Sequence, residues 1–167
     1  MEWNVVNTYM GWVAIVGSER GLIRVSLPHS STQESLQSLG SIIEEARFCR
    51  HRFGDLSKRL RAYFSGYRIS FTDELDFSDV THFQKKVWQA TKSIPYGETR
   101  SYGWLANRIG QPRAVQAVGQ ALARNRLPII IPCHRVVSND SSLGGFFGGL
   151  NMKKRLLHLE TMAISPQ

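Results

Sequence analysis

The chain has 167 residues, 42% of them hydrophobic, and carries 21 Lys+Arg against 13 Asp+Glu, for a net charge of +8. That length suits one medium domain or two small ones around a packed core, and no apolar run approaches the roughly 18 residues of a membrane span. The two cysteines, Cys49 and Cys133, cannot complete a four-ligand zinc site, and the five histidines show no paired ligand spacing, so no metal is expected.

Residues 10–27 alternate apolar and polar around Ser18-Glu19-Arg20-Gly21, which predicts a β-hairpin ended by Pro28. Ser31 with Glu34 forms a capping-box pattern before a short helix through about Leu39. Residues 40–52 have no clear period. Leu56, Leu60, Tyr63 and Phe64 share a helical face, and Gly66 fits the stop. Ile69–Phe71 is a candidate further strand, and the acidic, aperiodic stretch 72–80 reads as a linker.

Thr81, with Gln84 three residues on, caps a helix through about Ser93 whose face is Phe83, Val87, Trp88 and Thr91. Pro95-Tyr96-Gly97 is a turn. Ser101 caps a second helix, Tyr102 to Ile109, ended by Gly110. Pro112 stands at the first position of a third, running to Arg124. At 100° per residue Val115, Val118 and Leu122 fall on one side of it, and Arg113, Gln116, Gln120 and Arg124 on the other. Ala117 and Ala121 lie beside that polar stripe and would let the backbone approach a groove. The pair is either a helix-turn-helix or an ordinary αα-hairpin.

Charge bears on that choice. Residues 1–80 hold 9 Lys+Arg and 10 Asp+Glu, whereas residues 81–167 hold 12 and 3. The whole positive excess lies in the half with the helix pair, which points to a polyanion, nucleic acid before membrane. Ile129-Ile130-Ile131 then reads as a strand, with Pro132 shaping its exit toward Cys133-His134-Arg135. A lone cysteine is commonly a small buried hydrophobe. A nucleophile needs a lowered pKa or a base at hand, and His134 reaches Cys133 only if the backbone turns sharply or a water bridges them. Spacing alone leaves both readings open.

Ile131-Pro132-Cys133-His134-Arg135-Val136 resembles the active-site hexapeptide of the O6-alkylguanine-DNA alkyltransferases. Leu60–Gly66, Phe83–Trp88, Ile94–Tyr102, and Gly148-Gly149-Leu150 followed by Lys153–Glu160 resemble further family blocks, in order. Similarity is dense from about residue 60 to 160 and looser before. The resemblance implies a two-domain α/β (α+β) fold: a small N-terminal ribonuclease-H-like α/β domain over 1–75, and a C-terminal winged helix-turn-helix domain over 76–167. It implies direct DNA repair. The helix-turn-helix enters from the minor groove, the O6-alkylated guanine is flipped into a pocket, and Cys133 takes the alkyl group once per molecule. O4-alkylthymine is a further candidate substrate.

By the same resemblance, His134 activates Cys133 through a water, Glu160 orients His134, and Tyr102 bonds the guanine N3. Backbone carbonyls near Cys133 and Val136 read the exocyclic amine, and Asn125 ties the turn after the third helix. Ser101, Arg113, Gln116, Ala117, Gln120, Arg124, Arg135 and Val136 are the expected DNA and base contacts. No cofactor, no membrane and a monomer are expected. The N-terminus Met1-Glu2-Trp3-Asn4 shows no signal peptide, so the cytoplasm is expected, or the nucleus in a eukaryote.

Two positions depart from the family pattern. Gln116 stands where an arginine usually fills the space left by the flipped base, and Phe147 where a small or hydroxylated residue is common near the pocket. The alternative is an alkyltransferase-like protein that binds lesions with impaired transfer, although such proteins lack the cysteine that is present here.

Overall fold

The computed structural model describes residues 1–140 and 142–164. The mixed α/β chain divides into two compact units, Met1–Phe77 with the chain end from Ala163, and Ser78–Met162.

In the first unit β1 (Glu2–Thr8), β2 (Gly11–Ser18) and β3 (Gly21–Val25) run antiparallel, and β4 (Arg47–Phe48) adds parallel to β1, in the order β3-β2-β1-β4. The expected hairpin is β2–β3. Strand β1 lies beyond it, in a segment whose alternation is broken by Val5-Val6. Val13, Ala14, Ile15 and Val16 are all fully buried, so both faces of β2 are covered. Ala14 and Val16 meet Leu36, Leu39, Ile42 and Ile43, from α1 (Thr32–Ser38) and the 3-10 turn after it. Helix α2 (Gly54–Phe64) packs on β1 and buries Leu56, Leu60, Tyr63 and Phe64. Only half of the box at α1 forms: Ser31 Oγ accepts the Glu34 N–H at 3.1 Å, while the Glu34 carboxylate takes Ser30 instead.

Ile69–Phe71 forms no strand. The stretch expected as a linker is instead tied to the edge of β3: Leu22 N–H donates to Glu74 O at 2.9 Å and Asp76 N–H to Leu22 O at 2.8 Å. Arg59 grips Asp73 at 2.7 and 2.8 Å. The C-terminal end also departs from a 76–167 domain, because Arg68 N–H donates to Ile164 O and Ile164 N–H to Gly66 O. The reason is common to both: backbone groups at an exposed edge take whatever partner lies beside them.

The second unit is built on α3 (His82–Lys92), α4 (Tyr102–Arg108), α5 (Val115–Ala123) and α6 (Leu150–Thr161), with a two-residue parallel pair β5 (Arg100–Ser101) and β6 (Val136–Val137). The Thr81–Gln84 capping box is complete. Trp88, 1% exposed, donates its indole N–H to Ala121 O at 2.9 Å and locks α3 to α5. Helix α5 starts at Val115, later than expected. Pro112 sits instead inside a turn closed by Ala114 N–H to Gln111 O at 2.9 Å, where its fixed φ is favourable. The helix buries Val118, Ala121 and Leu122, and leaves Val115 at the surface.

The isoleucine run is not a strand. Pro128 and Pro132 bracket it and can donate nothing to a ladder. The chain turns tightly, with Ile131 N–H bonded to Leu127 O at 2.8 Å and Ile129 at φ 73°. All three isoleucines are buried. The turn feeds a single 3-10 turn, Cys133–Arg135, and then β6.

Candidate active site

Cys133 opens the 3-10 turn, and its Sγ accepts the Asn125 Nδ2–H at 3.1 Å. Asn125 Nδ2 also donates to Ile131 O at 2.9 Å, while its Oδ1 accepts the Leu127 N–H at 2.9 Å. One amide therefore closes the strained turn and holds the thiol. The sulfur borders a cavity of about 300 Å³, lined among others by Tyr102, Gly119, Leu122, Phe146 and Phe147. Tyr102 O–H donates to Gly145 O at 3.3 Å. Gly144 is at φ 67°, and a Cβ there would stand 2.9 Å from the Tyr102 ring, so glycine is required.

Behind the thiol lies a fully enclosed charged cluster. His134 Nε2 and Glu160 Oε2 are 2.5 Å apart. Arg135 donates from Nε to Glu160 Oε1 at 2.8 Å, from Nη2 to Oε2 at 3.1 Å, and from Nη1 to Ile94 O at 2.8 Å. Gly97 N–H completes the carboxylate's shell at 3.0 Å. Helix α6 supplies Glu160, and also Lys153, two turns earlier on the same buried face. Lys153 Nζ donates to Val136 O at 2.6 Å, Gly145 O at 3.0 Å, and Leu143 O.

Burial pushes the Cys133 thiol up to about 11, against the Asn125 hydrogen bond and the Lys153 charge, which pull the other way. Burial likewise lowers His134, opposed by Glu160 and aided by the Arg135 and Lys153 charges. Burial also opposes ionisation of Glu160, yet its His134 and Arg135 bonds outweigh it and hold the carboxyl well below the usual range. The two directions are reconciled by a neutral His134 donating Nε2–H to a carboxylate whose charge Arg135 balances. Burial pulls Lys153 down to about 8, and raises Tyr102, which stays a phenol donor at neutral pH.

The family model described as "6-O-methylguanine DNA methyltransferase, DNA binding domain" matches residues 82–162. A methylated-DNA–protein-cysteine methyltransferase of Methanosarcina acetivorans is 40% identical over 160 residues, covering 96% of this chain and 98% of the relative. The chain belongs to the methylated-DNA–protein-cysteine methyltransferase family. A member from Mycolicibacterium paratuberculosis is 47% identical over 160 residues, 96% of this chain and 92% of the relative. Among solved structures, the Mycobacterium tuberculosis OGT in complex with DNA superposes with a TM-score of 0.82 at 36% identity, over 98% of this chain and 95% of that one.

In this methyltransferase Cys133, His134, Glu160, Tyr102, Asn125 and Pro132 come together in or behind the lining of one cavity. Gln116, Ala117, Gln120 and Arg124 are exposed along α5, and Arg113 is exposed in the turn before it. One expected DNA contact is placed otherwise. Arg135 is buried, with its guanidinium committed to Glu160 and Ile94, because Glu160 needs a counter-charge in the interior. Ser101 caps α4 as expected, its Oγ accepting the Trp104 N–H at 3.0 Å, and stays half-buried. The carbonyls of Cys133 and Val136 each already accept one bond, from Val136 N–H and Lys153 Nζ. Lys153 escaped the sequence reading, although Lys153, Leu156 and Glu160 at i, i+3, i+7 mark one helix face.

Proposed function

We propose that this chain repairs duplex DNA by transferring the alkyl group of O6-alkylguanine to Cys133, once per molecule. The observation that carries this reading is a thiol on a cavity wall, fixed by Asn125 and backed by the enclosed His134–Glu160 pair. A thiol held near 11 is a poor nucleophile until a base removes its proton. Glu160 holds His134 at Nε2, so Nδ1 takes the Cys133 proton through a bridging water. Sγ then attacks the alkyl carbon, the S–C bond forms as the C–O6 bond breaks, and the electron pair leaves on guanine. Tyr102, which lines the cavity, turns its O–H from Gly145 O to the bound base and stabilises that departing charge at the ring. The product is a thioether with no hydrolytic exit, which limits each molecule to one event.

The target reaches the cavity only when rotated out of the duplex, since Cys133 is 5% exposed. The exposed face of α5 is the proposed minor-groove surface. Arg113 and Arg124 at its two ends hold phosphates, Ala117 allows close approach, and Gln116 and Gln120 reach base edges. Gln116 brings no fixed charge or guanidinium plane to the vacated stack, so base extrusion is weaker than with arginine. Phe147 narrows the cavity mouth and bears on which alkyl groups enter, O4-alkylthymine included. The protein is proposed to act as a monomer, in the compartment that holds the DNA.

Incubation with an O6-methylguanine duplex followed by peptide mass spectrometry tests the reading. One methyl on the Cys133 peptide at a 1:1 stoichiometry supports it. An unmodified peptide with tight binding instead identifies a lesion-binding protein without transfer.

A further inference from the structure

We infer that Lys153 is a positioning residue for the transfer: it supplies an un-neutralised positive charge that stabilises the Cys133 thiolate while clamping the cavity wall beside it. This rests on Cys133 being the acceptor. Lys153 is 0% exposed, and its ammonium donates to three carbonyl oxygens, Val136, Leu143 and Gly145. None of these is a carboxylate. A buried ammonium without an anionic partner is costly, and an uncharged donor would satisfy carbonyls more cheaply.

Among the described residues, the groups that face it are few. Tyr102 of α4 lies with its ring centroid 6.0 Å from Nζ, and Cys133 and His134 feel the Lys153 charge from the 3-10 turn. Arg135 and Glu160 neutralise each other beyond. Two anions arise in the proposed reaction, first the thiolate and then the departing guanine, and the thiolate is the one that forms on the protein itself, within reach of the Lys153 charge. Two of the clamped carbonyls, Leu143 and Gly145, flank Gly144 against Tyr102, and the third follows the Cys133 turn. A single ammonium thus joins the nucleophile's turn to the opposite wall and biases the charge of the sulfur.

The test is the pH dependence of Cys133 alkylation by iodoacetamide, read by peptide mass spectrometry without DNA. It therefore stands apart from whether alkylguanine is the substrate. Lys153→Gln keeps N–H donors for the carbonyls and removes the charge. The expected result is Cys133 alkylation slowed on the order of tenfold at pH 7.5, the effect of one pKa unit, with the gap closing above about pH 8, where the native ammonium itself gives up its proton. A purely structural clamp predicts the reverse: a loosened wall, a more exposed sulfur and faster alkylation. Faster or unchanged alkylation overturns the inference. Lys153→Arg keeps the charge but not the three-carbonyl geometry, and is expected to hold the wild-type rate at pH 7.5, where the native ammonium is still charged. If it titrates like a neutral variant, or if its Cys133 reacts faster with no charge lost, the charge is not what matters.

Discussion

The two working surfaces of the C-terminal unit solve opposite electrostatic problems. At the nucleophile, Cys133, His134, Lys153 and Glu160 are removed from water, and each of their shifts follows from burial set against one or two named partners. Along α5, Gln116, Gln120 and Arg124 stay in solvent, where a charge acts by salt-screened attraction. Removing one partner inside leaves a stranded charge, worth several kcal/mol. Removing one outside changes a salt-screened contact, worth much less. The interior is therefore where chemistry is tuned and the helix face where partner and affinity are set. The two should respond to mutation on different scales.

The largest expected effect is at the sulfur itself. Cys133→Ala should abolish transfer in a gel-based single-turnover assay and leave duplex affinity within about twofold, since the residue is buried away from α5's exposed face. Loss of both would join the two surfaces that the structure keeps separate. Next is Glu160→Gln. It should slow transfer by about 10²–10⁴-fold, the usual worth of an organised general base. It should also destabilise the fold by about 3–5 kcal/mol in urea, because Arg135 loses its counter-charge in the interior.

The same carboxylate sets an acid limit. Its folded pKa is depressed, so its contribution to stability is in place above the ordinary value of 4.5 and is lost as pH falls toward the folded value. The transfer rate has its own acid limb. His134 is held below its ordinary 6.5, so the rate should not fall on crossing pH 6.5, but only further down, when the imidazole takes a proton and can no longer accept one. A midpoint above 6.5 would mean a charged histidine at neutrality.

Smaller effects belong to the helix face. Arg124→Gln should weaken binding to damaged and undamaged duplex alike and flatten the log–log salt slope by about 1, the signature of one lost phosphate contact. Gln116→Arg should raise the repair rate on duplex by a few fold through better filling of the stack. No gain there would show that Arg113, in the preceding turn, already does this work.

Legibility in the sequence divides along the same line. The capping box at Thr81, the N-cap at Ser101 and the exposed glutamines of α5 follow from local patterns, because local backbone bonds and solvation decide them. The buried cluster does not. Arg135 looks like a basic surface residue until Glu160, 25 positions later, is found bonded to it. Lys153 reads as one more cation on a basic helix. The apolar run 129–131 fits a strand by composition, and only its bracketing prolines hint at a turn. Pro112 fits a helix start and a turn equally well, and the bond from Ala114 to Gln111 decides it. In the N-terminal unit the tie between Glu74, Asp76 and Leu22 joins residues some fifty positions apart, which no local period records.

Ile129 has one more consequence. A β-branched residue at φ 73° carries strain of about 1–3 kcal/mol, and its side chain, 2% exposed, contributes about 1.5–3 kcal/mol by burial. The two are of the same size, so the turn cannot relax without drawing Ile129 out of the core. The reactive sulfur is mounted on a sprung, anchored support, and any give needed to admit a base has to come from the facing wall, between Gly144 and Gly149.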